Sequence, residues 1–170
     1  CFPKDVRALD QIAGMNSYDF KLLKSVIQVN NEQRWRFYKK IEDQLKGLGD
    51  KKVTILGVAF KAGTDDIRES IGIDFARKFI EDGAQVLVYD PQAMDNAREV
   101  IDGVEFSSSI EDAVQGSDAI IITTEWDEFK EFDFSKIADK MRQKVIFDGR
   151  NILNKENLKK QGFLYFGVGI

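Results

Sequence analysis

The chain has 170 residues, of which 43% are hydrophobic and 32% are charged, and its formal net charge is −4. This length suits one ordinary domain, or a domain with an appendage. No apolar run approaches the roughly 20 residues of a membrane-spanning helix, and the negative charge disfavours binding to nucleic-acid phosphates. A single cysteine excludes an internal disulfide framework. We therefore expect a cytoplasmic protein with neither a membrane nor a nucleic-acid partner.

The absence of histidine restricts the possible chemistry further. Without histidine, the chain lacks the Ser-His-Asp and Cys-His catalytic arrangements and every histidine-based metal site. No carboxylates stand at metal-ligand spacing, so we expect no bound metal. The one cysteine, Cys1, is compatible with a cloning remnant, a buried small side chain or a nucleophile. Composition does not choose among these three.

The first 50 residues have a helical pattern. A long helix is predicted from about Tyr18 to Gly47, with Ser17 as its N-cap and Gly47 or Gly49 as its stop signal. A helix of about 30 residues extends ~45 Å, which is more than one small domain covers. We therefore expect residues 1–50 to contain a connecting or dimerising helix, and the protein to form a homodimer through it.

The apolar stripe of this helix is interrupted at Asn30 and Arg34. A polar notch in an amphipathic helix is commonly a solvated surface and nothing more. The same notch also suits a helix that faces a polar site or a subunit interface. The sequence leaves both interpretations open.

Residues 51–170 have a different pattern, in which short β-branched runs alternate with helical segments. Continuous apolar strands separated by helices are typical of a parallel sheet covered on both faces. The pattern predicts an α/β fold with a Rossmann-like, doubly wound, mainly parallel six-stranded sheet, for which 3-2-1-4-5-6 is the common strand order. The predicted strands are 52–58, 85–89, 103–106, 119–124, 144–147 and 163–169, and the predicted helices are 71–82, 92–101, 109–115, 134–142 and 154–161.

Such a sheet binds ligands beyond the carboxyl ends of its strands, where the strand order reverses. If the strands have the order 3-2-1-4-5-6, the loops after the first, fourth and fifth strands meet there. The first loop carries Lys61 and Arg68, the second Trp126 and the third Arg150. Cations and an aromatic ring at one edge suit a phosphorylated, ring-bearing ligand, because the arginine fork matches phosphate oxygens.

Each of these residues also has a purely structural interpretation. The carboxylates of Asp65, Asp66 and Glu69 could pair with the cations of the same loop on a solvated surface. Trp126 could serve only to anchor its loop, and Arg150 follows an Asp-Gly turn signal. Their joint placement at one edge of the sheet favours the ligand-binding interpretation.

The first loop departs from the dinucleotide-binding fingerprint. After Gly57, the second and third glycines of the G-x-G-x-x-G motif are replaced by Ala59 and Ala62. Asp90 ends the second strand, as an acidic ribose ligand would, but it lies farther from Gly57 than the roughly 20 residues of the motif. Pro91 favours a turn at that point. We therefore expect a domain of Rossmann-like shape that is a poor site for NAD.

Six stretches, in order along the chain, resemble the UDP-glucose 6-dehydrogenase family. They are CFPKDVRAL, VNNEQ, LGVAFKAGTDDIRES, VLVYDP, SDAIIITTEWDEF and VIFDGRNIL. The resemblance covers nearly the whole chain and corresponds to the C-terminal portion of such an enzyme. It implies that residues 1–50 are the end of the catalytic segment and the central dimerising helix, and that residues 51–170 are the UDP-sugar-binding domain.

The resemblance implies an oxidoreductase of polysaccharide biosynthesis that converts UDP-glucose to UDP-glucuronate with two NAD⁺. Cys1 would be the nucleophile: its thiolate captures the aldehyde as a thiohemiacetal, hydride loss gives a thioester, and water hydrolyses the thioester. Asp5, one helical turn from Cys1, would hold a water or share in proton transfer. Other residues match family positions that contact ligands: Phe60, Lys61 and Arg150 for the UDP-sugar, and Lys4 and Arg68 for NAD.

The resemblance also implies that the family's NAD-binding N-terminal domain is absent from this chain. We therefore expect the fragment alone to be inactive, so that it forms no NADH from UDP-glucose and NAD⁺. Two alternatives remain open. The chain could be a stand-alone nucleotide-binding module without catalysis, or part of a related enzyme that oxidises GDP-mannose or UDP-N-acetylmannosamine.

Overall fold

A computed structural model describes residues 2–170 of the chain, so Cys1 lies outside the described residues. The chain divides into two compact units, one that ends at Lys40 and one that comprises Ile41–Ile170. Helix α1 (Phe2–Met15) and most of helix α2 (Lys21–Leu45) form the first unit. The functional division predicted at residue 50 stays a prediction.

Helix α1 ends where the sequence predicted the start of the long helix. Ser17 has a left-handed backbone (φ 57°), and the N–H of Tyr18 donates to the carbonyl of Ala13 at 2.9 Å. Because this hydrogen bond closes the end of a helix, Ser17 terminates α1, and its prediction as the N-cap of the long helix is wrong. Helix α2 begins only at Lys21 and has 25 residues instead of the predicted 30 or so.

The predicted stop signal of α2 is confirmed at Gly47. Its backbone is left-handed (φ 96°), and its N–H donates to the carbonyl of Glu42 at 3.0 Å. Glycine adopts this conformation without a steric penalty, which is why helices commonly end on it.

The first unit exposes many large apolar side chains. On α2, Leu22, Val26 and Val29 lie three or four residues apart and therefore share one face, with exposed fractions of 73%, 48% and 56%. On α1, Ile12 is 56% exposed and Met15 87% exposed. Contiguous apolar surface of this kind is typical of an interaction site. No helix within residues 2–170 combines the length and hydropathy of a membrane span.

The second unit contains a six-stranded sheet in the order β3-β2-β1-β4-β5-β6, with parallel pairing throughout. Its strands are β1 (Lys52–Leu56), β2 (Gln85–Tyr89), β3 (Val104–Phe106), β4 (Ala119–Ile122), β5 (Val145–Asp148) and β6 (Leu164–Gly167). Every residue of β4 and β5 is buried, as is usual for inner strands of a parallel sheet. The predicted α/β, doubly wound, Rossmann-like fold is confirmed, and the strand order is the common one for such sheets.

Five helices connect the strands of this unit. They are α3 (Ile71–Glu81), α4 (Met94–Arg98), α5 (Ile110–Ala113), α6 (Asp127–Glu131) and α7 (Lys155–Lys160). Helix α3 begins at a serine cap, because the hydroxyl of Ser70 accepts the N–H of Ile73. It buries Phe75 and Phe79 completely, and their rings meet edge to face with centroids 6.0 Å apart.

Two predictions for the segment between β4 and β5 are wrong. In place of a helix over 134–142, the structure has a short 3-10 turn at Phe134–Ile137. Beyond this turn the N–H of Arg142 donates to the carbonyl of Ser117, so the backbone bonds to the segment before β4 and does not continue a helix. The loop after β4, predicted without a helix, contains α6.

Candidate functional site

Three loops converge at the carboxyl ends of the central strands. β1 lies between β2 and β4, and β5 follows β4, so the strand order reverses beside β1. The loops after β1, β4 and β5 comprise residues 57–70, 123–126 and 149–154. Doubly wound sheets bind ligands at this edge.

Arg150 joins the three loops through its guanidinium group. Its Nε donates to the carbonyl of Thr123 at 2.7 Å and lies 3.1 Å from Oε2 of Glu125. Its Nη2 donates to the carbonyl of Phe60 at 3.3 Å. The side chain is 31% exposed, and Nη1 makes no hydrogen bond to a residue that the structure describes. The guanidinium is therefore held in place with one nitrogen still available to a ligand.

Asp148 shapes the turn that carries Arg150. Its carboxylate is fully buried; Oδ1 accepts the N–H of Arg150 at 3.0 Å, and Oδ2 accepts the N–H of Leu153 at 2.9 Å. Oδ2 also accepts the hydroxyl of Tyr165 at 3.1 Å. Burial and the charge of Asp148 raise the pKa of Tyr165, so this tyrosine remains a donor at neutral pH. The turn signal in the sequence is confirmed, and the turn places Arg150 beside β4.

The beginning of the loop after β1 is held to both neighbouring strands. The N–H of Gly57 donates to the carbonyl of Tyr89 at 2.8 Å. On the other side, the hydroxyl of Thr123 donates to the carbonyl of Gly57, and that of Thr124 donates to the carbonyl of Ala59 at 2.7 Å. Gly57 is left-handed (φ 99°), and a side chain there would overlap Thr124. The close approach of this loop to β4 therefore requires glycine.

The carboxylate of Asp90 lies inside this loop and is only 1% exposed. Its Oδ2 accepts the N–H groups of Val58 and Ala59 at 2.8 and 2.9 Å and the indole N–H of Trp126 at 3.2 Å. Its Oδ1 accepts two backbone N–H groups of the turn before α4, at 2.9 and 2.8 Å. Asp90 is therefore a structural carboxylate and not an exposed ribose ligand. Trp126, 8% exposed, anchors its loop, as the structural interpretation predicted.

The two predicted cations of the loop after β1 have different surroundings. Arg68 binds Asp66 through two nitrogens, with Nε 2.9 Å from Oδ1 and Nη2 2.6 Å from Oδ2. Hydrogen bonds from Arg68 lower the pKa of Asp66 to about 2. Lys61 is exposed and makes no hydrogen bond or ion pair with a described residue. Pairing within the loop is thus confirmed for Arg68, whereas Lys61 remains available to an anionic ligand.

The residues predicted to act beside Cys1 lie on the first turn of α1. Nζ of Lys4 is 3.9 Å from Oδ1 of Asp5, and their side chains are 82% and 68% exposed. An ion pair this exposed contributes little to stability. Because Cys1 is not among the described residues, its role as a nucleophile stays a prediction, as does the role of Asp5 in proton transfer.

The structure brings two of the predicted ligand-binding residues, Phe60 and Arg150, into contact, and Lys61 follows directly along the chain. Sequence reasoning missed Glu125 as a partner of Arg150 and the buried position of Asp90. Both stand within three residues of the end of an apolar strand. Since the ends of parallel strands meet at one edge, polar residues at such positions are the signal that could have found them.

Known proteins are similar to this chain over nearly its whole length. Residues 54–155 match the model of the UDP-glucose/GDP-mannose dehydrogenase family, UDP binding domain. UDP-glucose 6-dehydrogenase YwqF of Bacillus subtilis (strain 168) is 42% identical over 170 residues, which are 99% of this chain and 39% of that protein.

Two solved structures extend the comparison to three dimensions. A UDP-glucose dehydrogenase from the hyperthermophilic archaeon Pyrobaculum islandicum is similar with a TM-score of 0.84 at 34% identity, over 99% of this chain and 37% of that one. A UDP-D-ManNAc dehydrogenase from Pyrococcus horikoshii is similar with a TM-score of 0.79 at 30% identity, over 99% of this chain and 38% of that one. This chain thus spans about two fifths of the length of its relatives. It belongs to the UDP-glucose/GDP-mannose dehydrogenase family, and its residues 54–155 correspond to the UDP binding domain of that family.

Proposed function

We propose that the sheet edge formed by residues 57–70, 123–126 and 149–154 binds the diphosphate of a UDP-sugar. The observation that supports this most is the state of Arg150, which is fixed by two backbone carbonyls and keeps Nη1 for a ligand. A guanidinium held in this way binds phosphate oxygens without losing further side-chain freedom. The match to a UDP binding domain supports uridine diphosphate as the ligand class.

The proposed pocket combines two positive charges with one aromatic ring. Lys61 and Arg150 would hold the phosphates, and the half-buried Phe60, whose carbonyl accepts a hydrogen bond from Arg150, would contact the rest of the nucleotide sugar. Glu125 competes for Arg150, but its side chain is 41% exposed, and ion pairs at the surface are weak. A diphosphate, which carries more than one negative charge, can therefore replace it.

We further propose that the complete protein is a sugar-nucleotide oxidoreductase that converts UDP-glucose to UDP-glucuronate, with Cys1 as the nucleophile and Asp5 as the group that holds the hydrolytic water. Two NAD⁺ in succession would supply the acceptors for the two hydrides that this four-electron oxidation releases, and water would supply the second carboxylate oxygen. The loop after β1 does not fit a dinucleotide, because the N–H groups of Val58 and Ala59 are occupied by a carboxylate. Lys4 and Arg68 would therefore reach NAD that is held outside this loop.

We propose that residues 51–170 bind the UDP-sugar and that residues 1–50 form the end of the catalytic segment and the dimerising helix. The support for dimerisation is the apolar face of α2 formed by Leu22, Val26 and Val29. A homodimer would remove this face from water, with a gain of about 25 cal/mol for each Å² of apolar surface buried.

At micromolar concentration the chain should therefore run as a dimer in multi-angle light scattering. Val26→Asp should convert it to a monomer, because a carboxylate buried without a partner costs about 2 kcal/mol or more. Val100→Asp, which changes an exposed valine of the other unit, should leave the dimer intact. A monomeric mass for the unmodified chain would contradict the proposal.

Ligand-induced thermal stabilisation tests the nucleotide assignment. UDP or UDP-glucose at about 100 times its dissociation constant should add about 2.7 kcal/mol to the unfolding free energy, which raises Tm by about 5–10 °C for a chain of this size. NAD⁺ should leave Tm unchanged, and GDP should act weakly if at all. Stabilisation by NAD⁺ and not by UDP would overturn the proposal, and preference for GDP would favour a GDP-sugar.

A further inference from the structure

The loop after β1 offers no backbone N–H group to a ligand over its first four residues. In dinucleotide-binding sheets these N–H groups receive phosphate oxygens. Here the N–H groups of Val58 and Ala59 donate to Oδ2 of Asp90 at 2.8 and 2.9 Å. The N–H of Phe60 donates within its own loop at 2.7 Å, and that of Gly57 donates to β2. Any anion bound against these four residues must therefore be met by side chains.

The Asp90 carboxylate accepts the N–H groups that phosphate oxygens accept in a dinucleotide site. Asp90 directly follows β2, and its hydrogen-bonding partners among residues 2–170 are five N–H donors, from the loop after β1, the loop after β4 and the turn before α4. An ionised carboxylate, which only accepts hydrogen bonds, satisfies all of them. One buried side chain thus ties together two of the three loops that form the candidate site.

The same hydrogen bonds determine where the ligand-binding side chains begin. The chain from Gly57 to Phe60 is held at every peptide, by β2, Asp90, the two threonines after β4 and the guanidinium of Arg150. Lys61 is the first residue beyond this segment. Its backbone position therefore depends on the Asp90 carboxylate, although Asp90 itself is too deeply buried to touch a ligand.

We propose that Asp90 is an internal anion that occupies the phosphate-receiving amides of the loop after β1, excludes a dinucleotide from that loop, and positions Phe60 and Lys61 for a diphosphate bound by side chains. The proposal rests on the UDP binding proposed above. Asp90 is a positioning residue, because it acts through the loop and not through contact with the ligand.

The test compares Asp90→Asn with Asp118→Asn in the 170-residue chain. Asp118 is a matched control, since it is 4% exposed and also accepts a backbone N–H, that of Lys52 at 2.9 Å, but it precedes β4 at the opposite edge of the sheet. In Asp90→Asn the amide NH₂ must face backbone donors, whichever way it is turned. Dissociation constants for UDP are measured by calorimetry well below the Tm of each variant, at two salt concentrations.

We expect both substitutions to lower Tm, and only Asp90→Asn to raise the dissociation constant for UDP, by about tenfold. The salt dependence of UDP binding should also weaken in Asp90→Asn alone, because a displaced Lys61 no longer contributes its charge. An unchanged dissociation constant in Asp90→Asn, or equal losses in the two variants, would overturn the inference. Absence of UDP binding by the unmodified chain would instead overturn the proposed function.

A milder variant covers the case in which Asp90→Asn fails to fold. Trp126→Phe removes one of the donors to Asp90, at 3.2 Å, and keeps most of the buried ring volume. It should raise the dissociation constant for UDP by about threefold, since one of the five hydrogen bonds to the Asp90 carboxylate is lost and four remain. A folded Trp126→Phe chain with unaltered UDP affinity would count against the positioning role.

Discussion

Arg150→Lys is expected to weaken UDP binding by about 30-fold, which corresponds to about 2 kcal/mol. Arg150 bonds to the carbonyls of Thr123 and Phe60 and still has Nη1 for a phosphate oxygen. A lysine ammonium is a single compact charge, and it cannot reproduce the planar fork that makes these contacts together. The loss should appear in the dissociation constant measured by calorimetry, in a chain that remains folded.

Arg142→Lys is the matched control for this substitution. Arg142 also pairs with a carboxylate, with Nη1 3.3 Å from Oδ2 of Asp118, but it precedes β5 at the opposite edge of the sheet. Its replacement should leave the dissociation constant for UDP unchanged within experimental error. If Arg150→Lys bound UDP as tightly as Arg142→Lys does, Arg150 would not be part of the site.

Gly57→Ala is expected to destabilise the fold by about 2–5 kcal/mol. A Cβ at this position would lie 2.5 Å from Cβ of Thr124 and 2.8 Å from its backbone nitrogen, and the backbone is left-handed (φ 99°). Steric overlap and backbone strain therefore act together. Since domains of this kind are stable by only about 5–15 kcal/mol, denaturant unfolding should show a clearly lower midpoint.

Gly63→Ala separates these two causes. Gly63 lies in the same loop and is also left-handed (φ 77°), but a Cβ there would meet nothing within 4 Å. It should therefore cost only the backbone strain, about 1 kcal/mol. Equal losses in the two variants would show that the close approach of Gly57 to Thr124 is not a constraint on the fold.

The sheet could be predicted from the sequence because each strand is marked by its own run of residues and by the turn signals on either side. β2 was predicted at 85–89 and is observed at Gln85–Tyr89, since its run of valine and leucine is bounded by clear turn signals. The alternation of strands and helices indicated a doubly wound parallel sheet, and the observed strand order is the common one for such sheets. Ser17 shows the limit of local evidence, because a serine between two helical patterns is compatible with the end of one helix or the start of the next.

The candidate site could be predicted only in part, for a physical reason. Lys61 and Arg150 could be named as candidates because polar residues after buried strands collect at one edge. The role of Asp90 was not, because its partners Val58 and Ala59 are backbone groups more than 30 residues earlier in the chain. Hydrogen bonds between a side chain and distant backbone leave no periodic trace in a sequence, so only the folded structure reveals them.

We have proposed that the carboxyl edge of the sheet binds a nucleoside diphosphate through its phosphates. The most direct test is a calorimetric comparison of UDP with uridine on the 170-residue chain at low and high salt. Contacts to Lys61 and Arg150 predict that UDP binds at least about 100-fold more tightly than uridine at low salt, with a smaller difference at high salt. Equal affinities for UDP and uridine, or a difference that salt does not alter, would contradict binding through the phosphates.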